Sequence, residues 1–459
     1  MKIAKSAARA RTRSLPAVKF EDGQKVTSFG GLVIFQRLFE QLGLRAALGG
    51  RCAHLDAKHS HYYKFGTVIH CLVIHLLLGY RKLRDADLYR GDPMVLAAAG
   101  LSRLPSVPTV ARMLGELDAG ALAGLREHNR EMVLWRLVEE HLSRVTLDFD
   151  GSVLGTGRRA EGSAVGFNKN KRGARSYYPL FCTVAQTGQI LDDLHRSGNV
   201  HDSNGAAEFV RRCVMEVKAA MPWAKVEVRM DSAFFSDEIV TELEALGVGY
   251  TISVPFERFA ELKGMIEGRS RWAEVPGTGG AASFFEKRWK PKSWSRRSRF
   301  LFVRSEKKKQ TKGALQLDLF EPVEYGQEYK VVITNKKERA GAVVSYHEGR
   351  GYQEKVFGEI KCQAQMDYIP CKRRAANEAY MLCSVMAHNL GRELQMRACP
   401  RSRGTTAKRT VLWVFEGLAS LRGKVIQRAA RVSHPQGRKT LTFGKNEKLE
   451  EALREYGVA

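Results

Sequence analysis

The amino-acid sequence predicts an α/β protein: a mixed central sheet flanked by helices, an all-helical N-terminal domain before it, and a β-rich insertion within it. Three observations carry this expectation. From Phe29 to about Leu142 the apolar residues recur at helical spacing, with few strand-like alternations. At Arg144 the pattern changes to strands, followed by alternating helices and strands, the order expected of a mixed sheet covered by helices. Between about Pro255 and Gly326 that pattern gives way to glycines, strand-like pieces and a dense run of cations.

The elements follow in order. Residues 1–20 are basic and rich in small residues, and read as a flexible arm. Residues 21–142 form the helical domain; Leu32, Ile34, Phe35, Leu38 and Phe39 set one apolar face, and Pro108 and Thr109 stand near the start of a later helix. Its short helices are compatible with a helix-turn-helix. The run from Val68 to Gly79 is too short to span a bilayer and carries two histidines, so it reads as a buried helix.

A core runs over 143–254. Val145 to Asp150 is a buried-strand signal ending in carboxylates, and Tyr178 to Ala185 with Gln189 to Leu191 reads as an antiparallel meander. Ala206 to Ala219 is an amphipathic helix, Val226 to Asp231 a second strand ending in a carboxylate, and Gly249 to Val254 a third strand after a helix over Asp237–Leu246. The insertion covers 255–327, with cations from Lys287 to Lys309 interleaved with Trp289 and Trp294. The core resumes over 328–398, where Val343 to Lys361 and Ala375 to Gln395 read as helices. A basic region, 399–459, closes the chain, with a helix expected over Val411–Ala429 and a short strand near Lys439–Phe443.

At 459 residues the chain has room for two to four such units. Its apolar content of 44% suffices for a large core, but 75 Lys and Arg against 49 Asp and Glu leave a net charge of +26. Self-repulsion of that size is tolerated when a polyanion neutralises it, and composition favours a nucleic acid over an anionic membrane. Eight scattered cysteines form no C-x-x-C pair, which removes support for a structural zinc site by spacing and suits a reducing cytoplasm. The first residues hold no apolar signal core, so export is not expected.

The chemistry lies in three carboxylates. Asp150 and Asp231 end strands, and Glu354 follows the insertion. Three such groups from separated segments can surround a pair of Mg²⁺ or Mn²⁺ ions, which prefer hard oxygen donors. Strand ends commonly carry Asp as a turn cap, so the carboxylates alone decide nothing. The surroundings of Glu354 add more: Arg350 precedes it by four residues and Lys361 follows by seven. On one helix these three share a face, within about 60° at 3.6 residues per turn. Such a face can hold a metal while its cations grip phosphates. Asp148 competes with Asp150 as a ligand because both point to one face of the strand. Glu348 and Glu359 lack the cation spacing. His201, His347 and His388 have no His-x-x-x-His partner and are assigned to packing or DNA contact; Ser152 and Ser232 lack a recognisable base.

These residues resemble the DDE transposases of bacterial insertion sequences, in particular the group marked by a Tyr, Arg, Glu, Lys signature around the catalytic Glu. Leu147–Val153 resembles the first-Asp strand, Gly166-Phe167-Asn168 through Tyr178-Pro179-Leu180 the next segment, and Arg196-Ser197-Gly198-Asn199 the motif before the first core helix. Arg229-Met230-Asp231-Ser232-Ala233-Phe234-Phe235 resembles the second-Asp block and, with Arg350, Glu354 and Lys361, is the most specific part of a likeness running from about Thr146 to Gln395. Tyr346 precedes Arg350 by one residue more than the usual signature, which leaves Tyr352 as an alternative to it.

The resemblance implies a ribonuclease-H-like catalytic domain with a β-rich insertion between the second Asp and the Glu, and favours Asp150 over Asp148. It implies a transposase using Asp150, Asp231 and Glu354 with Mg²⁺ (or Mn²⁺) to cleave and join DNA at the terminal inverted repeats of its own element, as a homodimer on DNA. The helical domain would read the repeats. Arg350, Lys361 and Tyr346 would contact DNA, as would Arg296, Arg297 and Arg299 on the insertion, through the backbone. Trp289 or Trp294 would stack a flipped base or, equally, pack inside the insertion. The rival functions are a catalytically inactive DNA-binding protein of the same descent and a metal-dependent nuclease that does not join.

Overall fold

The computed structural model describes residues 25–157, 159–166, 171–200, 205–276, 278–306 and 327–458. The basic arm at 1–20, Phe167 and Asn168, His201 and Lys307 to Lys309 lie outside the described residues.

Among the described residues, the N-terminal part holds seven α-helices: α1 (Val33–Gln41), α2 (Leu44–Arg51), α3 (Ala53–Lys58), α4 (Phe65–Leu77), α5 (Pro93–Ala99), α6 (Val107–Gly115) and α7 (Ala119–Glu139). Their starts are chemically marked. Asp92, Ser106 and Asp118 accept hydrogen bonds from backbone N–H groups in the first turns of α5, α6 and α7, donors that would otherwise lack partners. The apolar run at 68–79 forms α4, whose residues are almost all buried.

The sheet begins with β1 (Arg144–Gly151), β2 (Leu180–Val184) and β3 (Ile190–Leu194). After helix α8 (Ala206–Ala220) come β4 (Lys225–Met230), helix α9 (Asp237–Ala245) and β5 (Gly249–Ser253). Helix α10 (Ala260–Glu267) leads to β6 (Ala273–Glu274), β7 (Ala282–Trp289), β8 (Ser298–Glu306) and β9 (Gln327–Thr334). All nine belong to one sheet in the order β6-β7-β8-β9-β5-β4-β1-β2-β3. β1, β4 and β5 run parallel and β2 antiparallel to β1. The strands of the 255–327 stretch therefore extend the central sheet, since β9 pairs with β5 through Val332–Ser253 to Thr334–Thr251.

Helices α11 (Ala340–Glu348), α12 (Tyr352–Gln363) and α13 (Arg374–Ala398) complete the core. Every residue from Ala376 to Met396 is buried. On one side α13 joins α4, α6 and α7 in a single apolar cluster that also takes in Val356 and Ile360 of α12. The sheet packs α8, α9 and the residues of β7 and β8 into a second cluster. Two buried polar residues on α13 find full partners: Glu393 takes a two-pronged contact from Arg136 of α7, and Asn389 accepts the Ile190 N–H and donates to the Ile190 carbonyl. Such pairing is what makes burial of charge tolerable. Among the described residues no helix is long and apolar enough to cross a membrane.

Two expected helices are corrected. The one read over Val343–Lys361 is broken at Gly349–Gly351, which form a tight 3-10 turn between α11 and α12. A Cβ on Gly349 would stand 1.9 Å from the Lys408 carbonyl oxygen and 2.0 Å from Arg229 Nη1, so the backbone there is pressed against its neighbours. The helix expected over Val411–Ala429 is reduced to Leu418–Leu421 and a wide turn, Arg422–Ile426. The Leu412 N–H is spent on the Gln186 carbonyl, and Arg422 donates to the Leu76 and Leu77 carbonyls at the end of α4. The short strand is present as Thr440–Phe443; it pairs with Ala430–Ser433, which pairs in turn with Val26–Thr27 near the other end of the chain.

Candidate active site

Register places the first two carboxylates side by side. Parallel pairing of β1 with β4 sets Asp148 opposite Arg229 and Phe149 opposite Met230, and the same offset carries Asp150 beside Asp231 just beyond the end of β4. Apolar residues drive both strands into the interior: Val145, Leu147 and Phe149, and Val228 and Met230, are fully buried. The polar residues between them must then be paired. Asp148 and Arg229, 1% and 0% exposed, form a two-pronged ion pair at 2.6 and 2.8 Å. Burial pushes the Asp148 carboxyl above its usual range, and Arg229 pulls it back. Asp148 is thus committed to the floor of the site, and Asp150 is the carboxylate left at its edge.

Asp150 is pushed up to about 7, first by burial and then by the charge of Asp231, with Arg350, the Gly151 N–H and Glu354 acting more weakly. Asp231 caps the turn at Ser232–Phe234 by accepting the Ala233 N–H at 3.0 Å. Glu354 stands in the first turn of α12 with its side chain 67% exposed. Arg350 bridges the two halves, 3.2 Å from Asp150 and 3.5 Å from Glu354. The broken helix therefore still brings Arg350 and Glu354 to the strand ends, with Arg350 on the turn. The oxygen atoms of the three carboxylates do not all lie within 4.8 Å of one another.

The donor set suits a divalent cation. A carboxylate whose proton affinity is raised by a neighbouring one, as Asp150's is by Asp231, favours either a shared proton or a shared metal ion, and oxygen donors select Mg²⁺ or Mn²⁺ over softer ions. Lys361 donates to the Val153 carbonyl at 3.1 Å; burial lowers its amine, while Asp367 and Asp150 pull the other way.

Other expected contact residues are turned inward. Tyr346 is 1% exposed, and its ring lies under three cations: Lys336 Nζ at 4.2 Å, Arg229 at 5.2 Å and Arg409 at 5.9 Å. It supports Arg229, whose Nη1 also donates to the Tyr346 and Lys408 carbonyls, and does not reach the surface. Tyr352 is half-buried against the helical cluster. Trp289 and Trp294, 8% and 7% exposed, belong to the core: Trp289 donates its Nε1–H to Glu261 at 2.7 Å, and Trp294 lies 4.7 Å from the Phe235 ring. Arg299 is held by Glu286 and the Lys336 and Glu338 carbonyls. Arg296 and Arg297 are exposed. His347 bonds Ser253 and Thr251, and His388 bonds the Gly188 carbonyl; both are packing residues.

Two functional neighbours escaped sequence reasoning. Arg229 sits in the second-Asp block, yet its tie to Asp148 needs the parallel register to be seen. Gln353, fully buried, donates to the Asp148 carbonyl and Thr183 Oγ1 and so fixes α12 against β1; only its place beside Glu354 hinted at a role.

No curated protein matches the chain. Among solved structures, a piggyBac transposase synaptic complex with hairpin DNA is 14% identical, covers 86% of this chain and 80% of its own, and has a TM-score of 0.41. A Mos1 transposase paired-end complex with the left transposon end is 10% identical over 42% of this chain and 60% of its own, with a TM-score of 0.18. The family described as "Transposase DDE domain group 1" matches residues 12–456, nearly the whole length. With both aspartates and the glutamate brought to one end of the sheet, the chain belongs to the group 1 DDE transposases.

Proposed function

We propose that this transposase binds the terminal inverted repeats of its own insertion sequence, cleaves DNA at their ends and joins the freed 3′-hydroxyls to target DNA. The observation that carries the reading is the placement of Asp150 beside Asp231 at the ends of adjacent parallel strands, with Glu354 across Arg350 from Asp150. Support for a ribonuclease-H-like core comes from the strand order β3-β2-β1-β4-β5, in which β2 alone runs against the other four.

Asp150, Asp231 and Glu354 would hold the Mg²⁺ or Mn²⁺ ions. When bound, these supply Lewis acidity to the attacking and leaving oxygens of an in-line phosphoryl transfer. The protein residues do the rest. The Asp148–Arg229 pair and Gln353 keep β1, β4 and α12 in fixed relation, so the strand ends that carry Asp150 and Asp231 and the helix turn that carries Glu354 are set before DNA arrives. Arg350 and Lys361 present cations beside them for the scissile and neighbouring phosphates. Exposed Arg296 and Arg297 are placed to hold the DNA backbone without reading sequence. The helical domain reads the repeats, and the two ends of an element call for two active sites, hence a dimer on DNA. The protein acts in the bacterial cytoplasm, on the nucleoid.

A labelled repeat-end duplex with Mg²⁺ tests this. Joined product supports the transposase, cleavage alone a nuclease, and binding alone an inactive DNA-binding protein. Asp231→Ala is expected to bind repeats but not cleave; full cleavage by that variant would overturn the reading.

A further inference from the structure

We infer that the helical domain carries a separate transition-metal site, formed by His59, His61 and Glu116 and suited to Zn²⁺. Ligand atoms of these three residues all lie within 4.8 Å of one another, the one such group of three among the described residues. The site lies in the helical domain, and none of its residues belongs to the carboxylate centre.

Local backbone explains how two histidines meet. His59 ends α3 in an extended conformation, φ −117° and ψ 130°, and the chain stays out of helix until Lys64, also extended. In an extended segment residues two apart point to the same side. The two imidazoles accordingly lie parallel, 5.4 Å between centroids and 6° between planes. Glu116 arrives from the end of α6, where its own N–H caps the helix by bonding the Met113 carbonyl. Its Oε2 is 2.6 Å from His61 Nε2. A simple hydrogen bond explains that contact but leaves the aligned His59 ring unused.

The surroundings suit an ion. Phe65, 1% exposed, lies 5.7 Å from both imidazole rings and gives the site an apolar wall. An apolar wall limits water access and strengthens the ligands' hold. All three ligands are half-buried, which leaves one side open to solvent. Zn–N and Zn–O bonds of about 2.0–2.2 Å at tetrahedral angles set ligand atoms roughly 3.3–3.6 Å apart, so the His61–Glu116 pair, 2.6 Å apart, opens slightly to admit the ion while His59 completes the set. Two nitrogens and one oxygen select Zn²⁺ or its transition-metal neighbours over Mg²⁺, with water in the remaining position. A bound ion would clip the α3–α4 connection to the junction of α6 and α7, taking the place of the His61–Glu116 hydrogen bond that joins these segments here.

The test uses the full-length protein in excess Mg²⁺, which occupies hard oxygen sites, with Zn²⁺ titrated against a chromophoric chelator. One Zn²⁺ per chain is expected, with affinity lowered roughly tenfold or more in His61→Ala and Glu116→Gln. X-ray absorption at the zinc edge of the wild-type complex should show two imidazole ligands, a readout that does not depend on any variant folding. Absence of stoichiometric binding, fewer than two imidazoles, or unchanged affinity in both variants would overturn the site.

Discussion

Replacing Asp150 with Asn should stabilise the metal-free protein at pH 8, and the gain should vanish in acid. The folded Asp150 carboxyl is raised from 3.8 to about 7 by burial and by Asp231. Below the unfolded value both states are protonated and the group contributes nothing. Between about 4 and 7 the unfolded chain gives up its proton while the folded chain keeps it, so stability falls as pH rises, and above about 7 the whole penalty stands. A shift of about three units at about 1.4 kcal/mol each gives a penalty of about 4 kcal/mol. The side chain is only 16% exposed, so solvent screening trims this modestly. The amide in the Asp150→Asn variant carries no charge and escapes the penalty. Chemical denaturation of both proteins from pH 4 to 8, in chelator, should give a difference that opens with pH toward a few kcal/mol in favour of Asp150→Asn. Excess Mg²⁺ should shrink it, because a cation bound between the carboxylates favours their ionised form. A pH-independent difference, or a less stable variant at pH 8, would refute the reasoning.

Three further outcomes follow from the same geometry. Arg229→Met leaves Asp148 buried without its partner and should cost about 3–5 kcal/mol in denaturation experiments, whereas Arg229→Met combined with Asp148→Leu should recover a large part of that loss. Gly349→Ala places a Cβ 1.9 Å from the Lys408 carbonyl oxygen and should lower both stability, by about 1–3 kcal/mol, and DNA cleavage; Gly351→Ala, which meets nothing within 4 Å, serves as the neutral control. Arg296→Ala with Arg297→Ala should leave the melting temperature unchanged, since both are exposed, while weakening repeat binding and flattening its salt dependence by up to about one unit of slope per lost phosphate contact.

The parts of this architecture that were legible in the sequence are those decided by local pattern. Val145 to Asp150 and Val226 to Asp231 announce themselves as short strands with an apolar residue at every second position and an acidic end, because one face of each packs into the core. The helical spacing from Phe29 onward reflects the same need for an apolar stripe on each helix. What was not legible depends on distant partners. The break at Gly349–Gly351 is dictated by the Lys408 carbonyl and Arg229, far away in the chain, and no local pattern reports them. Trp289 and Trp294 sit among cations in sequence, and Tyr346 in the stretch that resembles the family signature; all three suggested contact with DNA, yet in space cations or neighbouring rings cover them. His59 and His61 are close in sequence but acquire their third ligand from the far end of α6, so spacing alone could not mark them.

Whether Asp150, Asp231 and Glu354 act together on a divalent ion is tested most directly by titrating Mn²⁺ into the protein and following free Mn²⁺ by electron paramagnetic resonance. Binding by the wild-type chain that is abolished in Asp150→Asn and Asp231→Asn and weakened in Glu354→Gln is the predicted result. Equal Mn²⁺ binding by all four proteins would contradict it.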